Sequence, residues 1–146
     1  MLPNSELADR LHSAAIHLLR GVRREDAAAG LPPAQLSALS VVVFGGPLTV
    51  GALAAAEQVR SPSMTRVVTA LEAAGLVTRE PHPGDARATL VAATAAGREL
   101  LLAGRRRRVR VLEQRLAALA PAERDALAMA ISALEAVSGR SRTPPR

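Results

Sequence analysis

The sequence of 146 residues contains no cysteine, tryptophan, tyrosine or lysine, and Phe44 is its single aromatic residue. Without cysteine, the chain cannot form a disulfide framework, a thiol redox switch or a cysteine-ligated zinc site. Without further aromatic side chains, we do not expect the stacking platforms that hold single-stranded nucleic acid. Thiol chemistry and base stacking are therefore removed from the functions to be considered.

Long apolar runs and a basic N-terminal segment are also missing. No apolar stretch approaches the roughly 18 residues of a membrane-spanning helix. Residues 1–4 include no basic side chain, whereas a secretion signal opens with a positively charged segment. The sequence therefore predicts a cytoplasmic protein with no membrane partner.

The chain carries an excess of positive charge, and arginine supplies all of its basic residues. All 19 basic residues are arginine, against 13 acidic residues, which gives a net charge of +6. GC-rich coding accounts for arginine in place of lysine, but it does not account for the positive sign. Guanidinium groups stay protonated and bind phosphate oxygens in pairs, so the excess favours an anionic partner. Alanine is about a fifth of the chain and 49% of residues are apolar, which indicates folded helical structure.

Periodicity and composition divide the chain into four segments. Residues 1–30 predict a helix that begins at an N-cap of Asn4 or Ser5 and carries an apolar stripe. Residues 31–94 predict a compact domain, 95–138 two further helices, and 139–146 a disordered tail. The terminal helices have more apolar surface than the central domain can cover, which predicts a symmetric homodimer.

Turn signals divide the central segment into three helices and a hairpin. The helix boundaries are marked by proline, glycine and hydroxyl residues at Pro32-Pro33, Gly45-Gly46-Pro47, Thr49, Ser61-Pro62 and Gly75. Strands are expected at 76–80 and 89–93, joined by a turn-rich loop at 81–88. This order predicts a mainly α protein with a small β-hairpin wing (α+β), a winged helix-turn-helix with N- and C-terminal dimerisation helices.

In order and spacing, several short motifs resemble the MarR family of bacterial winged helix-turn-helix regulators. The resemblance covers nearly the whole chain and rests on Leu31-Pro32-Pro33-Ala34-Gln35-Leu36, Gly46-Pro47-Leu48-Thr49, Met64-Thr65-Arg66, Leu71-Glu72-Ala73-Ala74-Gly75-Leu76-Val77, Asp85-Ala86-Arg87 and Thr94-Ala95-Ala96-Gly97. It implies a homodimer that binds a pseudo-palindromic operator in duplex DNA, usually as a repressor. Many members release DNA when they bind a small-molecule effector.

Two positions depart from the family pattern. Arg60 stands where relatives often have a serine that caps the recognition helix, so Ser61 must take the cap or the cap is lost. Ala86 stands in the wing where a second cation is frequent, which implies a weaker grip on phosphate.

The third helix of the central domain is the predicted recognition helix. Its apolar residues recur at three- and four-residue spacing, at Met64, Val67, Val68 and Leu71. The helix start and the opposite face supply the DNA-binding candidates Arg60, Ser61, Ser63, Thr65, Arg66 and Thr69. Small hydroxyl and basic side chains can contact phosphates and base edges without steric bulk. The alternative interpretation is a solvated face with Arg66 paired to a glutamate.

In the wing, the resemblance places Arg87 in a minor groove, with Asp85 orienting it. The alternative is a structural Asp85–Arg87 pair in a tight turn, and the two interpretations are compatible. Arg79 is a further candidate for DNA contact. For Arg79 and His82 the competing interpretation is simple exposure.

The remaining charged residues give less specific signals. The arginine run at 105–110 spreads around its helix, which favours a solvated face over a DNA contact. Arg10, His12 and His17 are candidates to line a pocket for an acidic effector, although histidine without a ligand role is the commoner case. With three histidines and no cysteine, we predict no metal site and no cofactor.

Sequence signatures of catalysis are missing, since neither a glycine-rich phosphate loop nor a nucleophile elbow occurs. Ser63, His82 and Asp85 make a triad only on paper, because they fall on a groove-facing helix and a wing. We therefore predict a transcriptional regulator and no enzyme. Two other functions stay open, a sequence-tolerant architectural DNA-binding protein and a winged-helix protein-interaction module, of which the second would present an apolar face.

Overall fold

The computed structural model describes residues 1–139, which form six α-helices, a 3₁₀ segment and three β-strands. In chain order these are α1 (Asn4–Arg23), the 3₁₀ segment (Arg24–Ala29), α2 (Pro33–Gly45), β1 (Leu48–Thr49), α3 (Val50–Ala56), α4 (Ser61–Ala73), β2 (Val77–His82), β3 (Asp85–Ala93), α5 (Ala95–Ala117) and α6 (Pro121–Val137). The predicted fold class, mainly α with a small β wing, is confirmed. The tail predicted at 139–146 lies, from residue 140 on, outside the described residues.

The chain divides into two compact units, one over Met1–Arg108 and one that begins at Val109. In the first unit, α2 packs against α3, α4 and β3 around a single apolar core. Its largest fully buried side chains are Leu39, Leu53, Met64, Leu71, Val42, Val68, Val77 and Val91. The core therefore lies directly against the apolar stripe of α4, as the three- and four-residue spacing predicted.

Three antiparallel strands form a small sheet in the order β1-β3-β2. The sequence pattern does not predict β1, which has only two residues and pairs Leu48 with Val91 and Thr49 with Leu90. A two-residue strand is too short for a period-two pattern, so the sequence offers no signal for it. The same Thr49 also caps α3, where its side chain accepts a hydrogen bond from the amide of Ala52 at 3.1 Å.

The hairpin is longer than predicted, and the expected loop at 81–88 is wrong. β2 continues to His82 and β3 begins at Asp85, so that only Pro83 and Gly84 connect them. Pro81 pairs with Thr89 in the ladder. It is tolerated because β2 is an edge strand, where a missing N–H costs no ladder hydrogen bond. The prolines and glycine of this segment therefore mark an edge strand and a tight turn rather than a loop.

Proline also decides where the first helix begins. α1 starts at Asn4 with Pro3 in the N-cap position and no side-chain cap, so the predicted cap by Asn4 or Ser5 is wrong. The fixed φ of proline suits the start of a helix without any capping side chain. At its other end α1 passes into the 3₁₀ segment, which stops at Gly30 with φ of +72°.

The end of α4, the start of the wing and the start of α5 meet at one point, which we call the Thr94 junction (Gly75, Leu76, Thr94 and Gly97). α4 ends with Gly75 at a φ of +72°, and the Leu76 amide bonds back to the Leu71 carbonyl at 2.9 Å, which is a Schellman cap. The Thr94 hydroxyl donates to the Gly75 carbonyl at 2.7 Å and accepts from the Gly97 amide at 3.1 Å. The Thr94 amide donates to the Leu76 carbonyl at 3.1 Å. One threonine thus caps α5 and ties it to the end of α4.

Apolar side chains of the terminal helices remain exposed in the single chain. In α1 only Val22 is buried, while Leu7, Leu18 and Leu19 are exposed. In α6 no residue is buried, and Met129 and Val137 keep 85% and 75% of their surface exposed.

Over residues 1–139 no single helix is long and apolar enough to cross a membrane. Only the bent pair Asn4–Ala29 and Pro33–Gly45, at 94°, has the length and composition of a span when the two helices are taken together.

We expect Gly97→Ala to destabilise the protein by about 3 kcal/mol, because the new methyl group would require a backbone shift. A Cβ at Gly97 would overlap the carbonyl oxygen of Leu76 and lie 3.2 Å from Leu39 Cδ1. Gly104→Ala is the matched control, since a Cβ there meets only guanidinium ends of Arg108 and Arg107, at 3.5 and 3.7 Å. The control should gain about 0.5–1 kcal/mol from helix propensity. Urea denaturation measures both, and equal stability of the two variants would contradict the close approach at the Thr94 junction.

Candidate nucleic-acid interface

α3, a short turn and α4 form a helix-turn-helix in which α4 is the exposed member. The turn is tight because the Val59 amide bonds back to the Ala54 carbonyl at 3.0 Å. It places Gln58 in the left-handed region with a φ of +56°, a conformation that costs a non-glycine residue about 1 kcal/mol. Met64, Val68 and Leu71 then anchor α4 in the core, so its opposite face is available to a partner.

That opposite face presents the predicted side chains, all of them exposed: Ser61, Ser63, Thr65, Arg66 and Thr69. No carboxylate within residues 1–139 lies at ion-pairing distance from Arg66. The alternative in which Arg66 is neutralised by a glutamate is therefore not observed in the described part of the chain. Arg66 is a charged donor directed away from the core on the exposed helix.

The two threonines of this face use their hydroxyl protons within the helix. Thr65 Oγ1 donates to the Ser61 carbonyl at 3.0 Å, and Thr69 Oγ1 donates to the Thr65 carbonyl at 2.8 Å. A threonine hydroxyl has one proton and two lone pairs. In this arrangement the two hydroxyls can offer a base edge an acceptor and a methyl group, but no donor.

The start of α4 lacks a side-chain cap. Arg60 occupies the N-cap position with φ of −75° and ψ of 145°, and Ser61 is already the first helical residue. Of the two outcomes that the sequence left open, the cap is lost and Ser61 does not take it. The first-turn amides of a helix have no partner within the helix and carry a partial positive charge, which favours anions. Arg60 adds a full positive charge at this point, so the sequence departure leaves the helix start more attractive to phosphate.

In the wing, Asp85 interacts with the backbone of Arg87 rather than with its guanidinium group. Asp85 Oδ1 accepts a hydrogen bond from the Arg87 amide at 2.9 Å. The structural Asp85–Arg87 pair is thus a turn interaction, and the three ion pairs found in residues 1–139 do not include the Arg87 side chain. Arg87 is exposed on β3, and Asp85 holds its backbone amide.

His82 is half-buried and has a structural role in the wing turn that the sequence did not indicate. Its Nδ1 accepts a hydrogen bond from the Gly84 amide at 2.9 Å. An acceptor at Nδ1 places the imidazole proton of the neutral ring on Nε2. His82 and Asp85 therefore close the two-residue turn from both sides.

Arg79 differs from the other DNA-binding candidates because other side chains engage it. Its guanidinium forms an ion pair with Glu72 and donates a hydrogen bond to Thr69 Oγ1 at 3.2 Å. Both partners lie on α4, whereas Arg79 lies on β2. Sequence reasoning missed this contact, because residues seven apart on two different elements show no pairing pattern.

The arginine run at 105–110 is likewise partly engaged within the protein. Arg106 pairs with Glu99 and Arg108 pairs with Asp26 of the 3₁₀ segment. Arg107 is half-buried, and its Nε has no hydrogen-bond partner in the described part of the chain. The run therefore does not form one free basic patch.

The proposed effector residues Arg10, His12 and His17 are all exposed on α1. Among residues 1–139 no three histidine, aspartate or glutamate side chains converge in a way that could hold a metal ion.

A helix-turn-helix with a hydroxyl and arginine face on its second helix, followed by a β-hairpin with an exposed arginine, defines a winged helix-turn-helix DNA-binding protein. Comparison with known proteins identifies the family within this class. A sequence model described as MarR family matches residues 29–88. Over 138 residues the chain is 41% identical to the uncharacterized HTH-type transcriptional regulator Mb0904 of Mycobacterium bovis, covering 94% of this chain and 96% of that protein.

Two solved structures share the fold. The transcriptional regulator Tm0710 of Thermotoga maritima has a TM-score of 0.83 and 26% identity, over 93% of this chain and 96% of that one. A mutant of S. aureus MepR bound to an oligodeoxyribonucleotide has a TM-score of 0.68 and 16% identity, over 94% and 99% of the two chains. The chain belongs to the MarR family, and it is an HTH-type, DNA-binding transcriptional regulator.

We expect Arg60→Ser to stabilise the protein and weaken its DNA binding at the same time. The extended backbone of the N-cap suits serine, whose hydroxyl should gain about 1 kcal/mol as a cap. Loss of one phosphate-facing charge should lower the slope of log affinity against log salt by about 1. Thermal unfolding and salt-dependent titration of duplex DNA measure the two effects.

Arg60→Ala is the matched control for that variant, because it removes the charge without adding a cap. It should bind DNA as weakly as Arg60→Ser and gain no stability. Stronger DNA binding by either variant would contradict a phosphate role for Arg60.

Proposed function

We propose that the protein acts in the cytoplasm as a homodimeric repressor that binds a pseudo-palindromic operator sequence-specifically. The observation that carries this proposal is that two exposed arginines, Arg66 on α4 and Arg87 on the wing, form no ion pair within residues 1–139. An exposed arginine without a carboxylate partner is free to bind phosphate or a base edge.

For α4 we propose insertion into a major groove. The face opposite the core is lined by short side chains, so the helix can approach base edges closely. Arg66 is the one long donor on that face, and a bidentate contact with guanine is its most frequent specific use. Ser61 and Ser63 are proposed to contact phosphates and base edges around it, while Thr65 and Thr69, whose hydroxyl protons are used within the helix, are proposed to present an acceptor and a methyl group to base edges.

For the wing we propose that Arg87 enters an adjacent minor groove. Narrow A·T tracts concentrate negative potential there and attract arginine. Asp85 supports this placement by holding the Arg87 amide at 2.9 Å. The oligodeoxyribonucleotide bound to the MepR mutant, which shares the fold, supports duplex DNA as the partner.

Homodimerisation is supported by the apolar surface of the terminal helices. α6 is rich in apolar residues and buries none of them in the single chain. A second copy is the simplest cover for such a surface, since most soluble oligomers are symmetric homodimers. A dimer would also place two recognition helices on half-sites about one helical turn apart.

Release by a small acidic effector is the remaining part of the proposal. Arg10, His12 and His17 supply cationic and hydrogen-bonding groups on α1, which would lie near the subunit boundary of such a dimer. We infer that the protein regulates through binding and carries out no catalysis.

We expect Arg87→Ala and Arg66→Ala to weaken DNA binding in different ways. Selection of bound duplexes from a random pool by the wild-type chain supplies the probe. Arg87→Ala should weaken all sequences and lower the salt slope by about 1, since it removes a phosphate-facing charge. Arg66→Ala should cost about 1–3 kcal/mol at one base-pair position and relax the preference there.

Ala86→Arg is a useful counterpart, because it adds a cation beside Arg87 and should strengthen binding without changing the selected sequence. If the wild-type selection returns no common motif, the protein is an architectural DNA-binding protein instead. If it retains no duplex at all, the face is a protein-interaction module.

We expect Met129→Glu to convert a dimer into a folded monomer. Met129 is 85% exposed in the single chain, so a charge there is tolerated by the monomer but not by an apolar interface. Sedimentation at matched concentrations measures the mass, and circular dichroism reports the fold. Ser132→Glu, at another exposed position of α6, is the control and should remain dimeric if Met129 faces the interface. A monomeric wild-type protein would refute the dimer.

A further inference from the structure

One half-buried cation connects the recognition helix to the wing. The Arg79 side chain keeps 29% of its surface exposed, against 41% for its partner Glu72. One arm of the guanidinium pairs with Glu72 and the other donates to Thr69 Oγ1 at 3.2 Å. We call this group (Arg79, Glu72 and Thr69) the Arg79 brace.

The brace uses both arms of a planar group, so it constrains orientation as well as distance. Thr69 is itself held, because its hydroxyl proton is donated to the Thr65 carbonyl at 2.8 Å. Glu72 and Thr69 lie three residues apart, on one side of α4. The wing strand β2 is therefore attached at a defined height along the recognition helix.

The outer part of the wing has little other support. β1 pairs with β3 only at Val91 and Leu90, so beyond those residues the hairpin consists of β2 and β3 alone. A two-stranded hairpin by itself is marginally stable in water. Arg79 lies opposite Val91 at the base of this two-stranded part, so the brace, the Thr94 junction and the buried Val91 together set the direction of the wing relative to α4.

The charges of Glu72 and Arg79 also support a structural role for the pair. A glutamate on the DNA-facing helix would repel phosphate, and Arg79 neutralises it at contact distance. The same pairing occupies the guanidinium, whereas no carboxylate of residues 1–139 pairs with Arg66 or Arg87. Of the arginines on α4 and the wing, Arg79 is thus the least available to DNA.

We propose that Arg79 is a positioning residue, which braces the wing against α4 through Glu72 and Thr69 so that Arg87 reaches its groove while α4 occupies the major groove. Arg79 makes no phosphate contact of its own. The proposal rests on the proposed function in one respect, the DNA contact of Arg87. It replaces the role of Arg79 as a DNA-contacting residue.

A double-mutant cycle with Arg87 tests this proposal on the full-length chain and the duplex selected by the wild type. Arg79→Ala should weaken binding about five- to tenfold, because the wing is no longer held in place. Its slope of log affinity against log salt should equal that of the wild type, since no phosphate contact is lost. In the Arg87→Ala background the same change should have almost no effect.

Two outcomes would overturn the brace and leave the proposed function intact. A salt slope lowered by about 1, with additive losses in the double variant, would make Arg79 a phosphate ligand. Unchanged affinity of Arg79→Ala would make the pair irrelevant to binding. Unchanged affinity of Arg87→Ala alone would instead refute the proposed wing contact.

A charge-reversed pair separates the brace from general stability. Glu72→Arg or Arg79→Glu alone should weaken binding, and the double variant Glu72→Arg/Arg79→Glu should recover at least half of the loss. A merely structural effect would follow the unfolding temperature of each variant rather than this recovery. Failure of the double variant to recover binding, with an unfolding temperature equal to that of the wild type, would count against the brace.

Discussion

The close approach of α5 to the turn after α4 is the constraint on which the proposed DNA-binding surface depends. Only a glycine at position 97 lets the α5 backbone lie against the carbonyl of Leu76, and Thr94 bonds both sides of that contact. The recognition helix ends there, the wing departs from it, and the long helix to the second unit begins. Because backbone polar groups satisfy one another at this point, the three elements have little freedom to turn independently.

The capacity of each arginine to bind phosphate depends on whether a carboxylate lies beside it, and not on the number of arginines in the chain. Of the many arginines, three have carboxylate partners within residues 1–139: Arg79, Arg106 and Arg108. A paired guanidinium has given up part of its capacity to bind phosphate, while the unpaired Arg66 and Arg87 retain it. The net charge of +6 attracts DNA in general, and the unpaired residues at defined positions are those proposed to recognise it.

Much of the fold was predictable because its signals are local. The stripe of Met64, Val68 and Leu71 and the glycine at position 75 report a helix face and a helix end within a few residues of themselves. The failures involve either a partner distant in the chain or a local choice between a cap, a turn and a strand. Two-residue β1 exists only through Val91 and Leu90, and most of the loop expected at 81–88 is strand because β2 is an edge strand, which tolerates Pro81. For the cap of α4 the sequence allows two outcomes, and the backbone geometry at Arg60 decides between them.

By itself, the sequence determined the fold class and the family, because periodicity, turn residues and motif spacing are properties of the order of residues, and it proposed a set of side chains for DNA contact. Only the tertiary structure decided which of those side chains are free. In the sequence, Arg79 and Arg87 are both arginines of the hairpin, and nothing there distinguishes them. In the structure Arg79 pairs with Glu72 on α4, whereas Arg87 has no carboxylate partner in the described residues. Ion pairing depends on distance in space, and the chain brings residues 72 and 79 together only by reversing direction at Gly75.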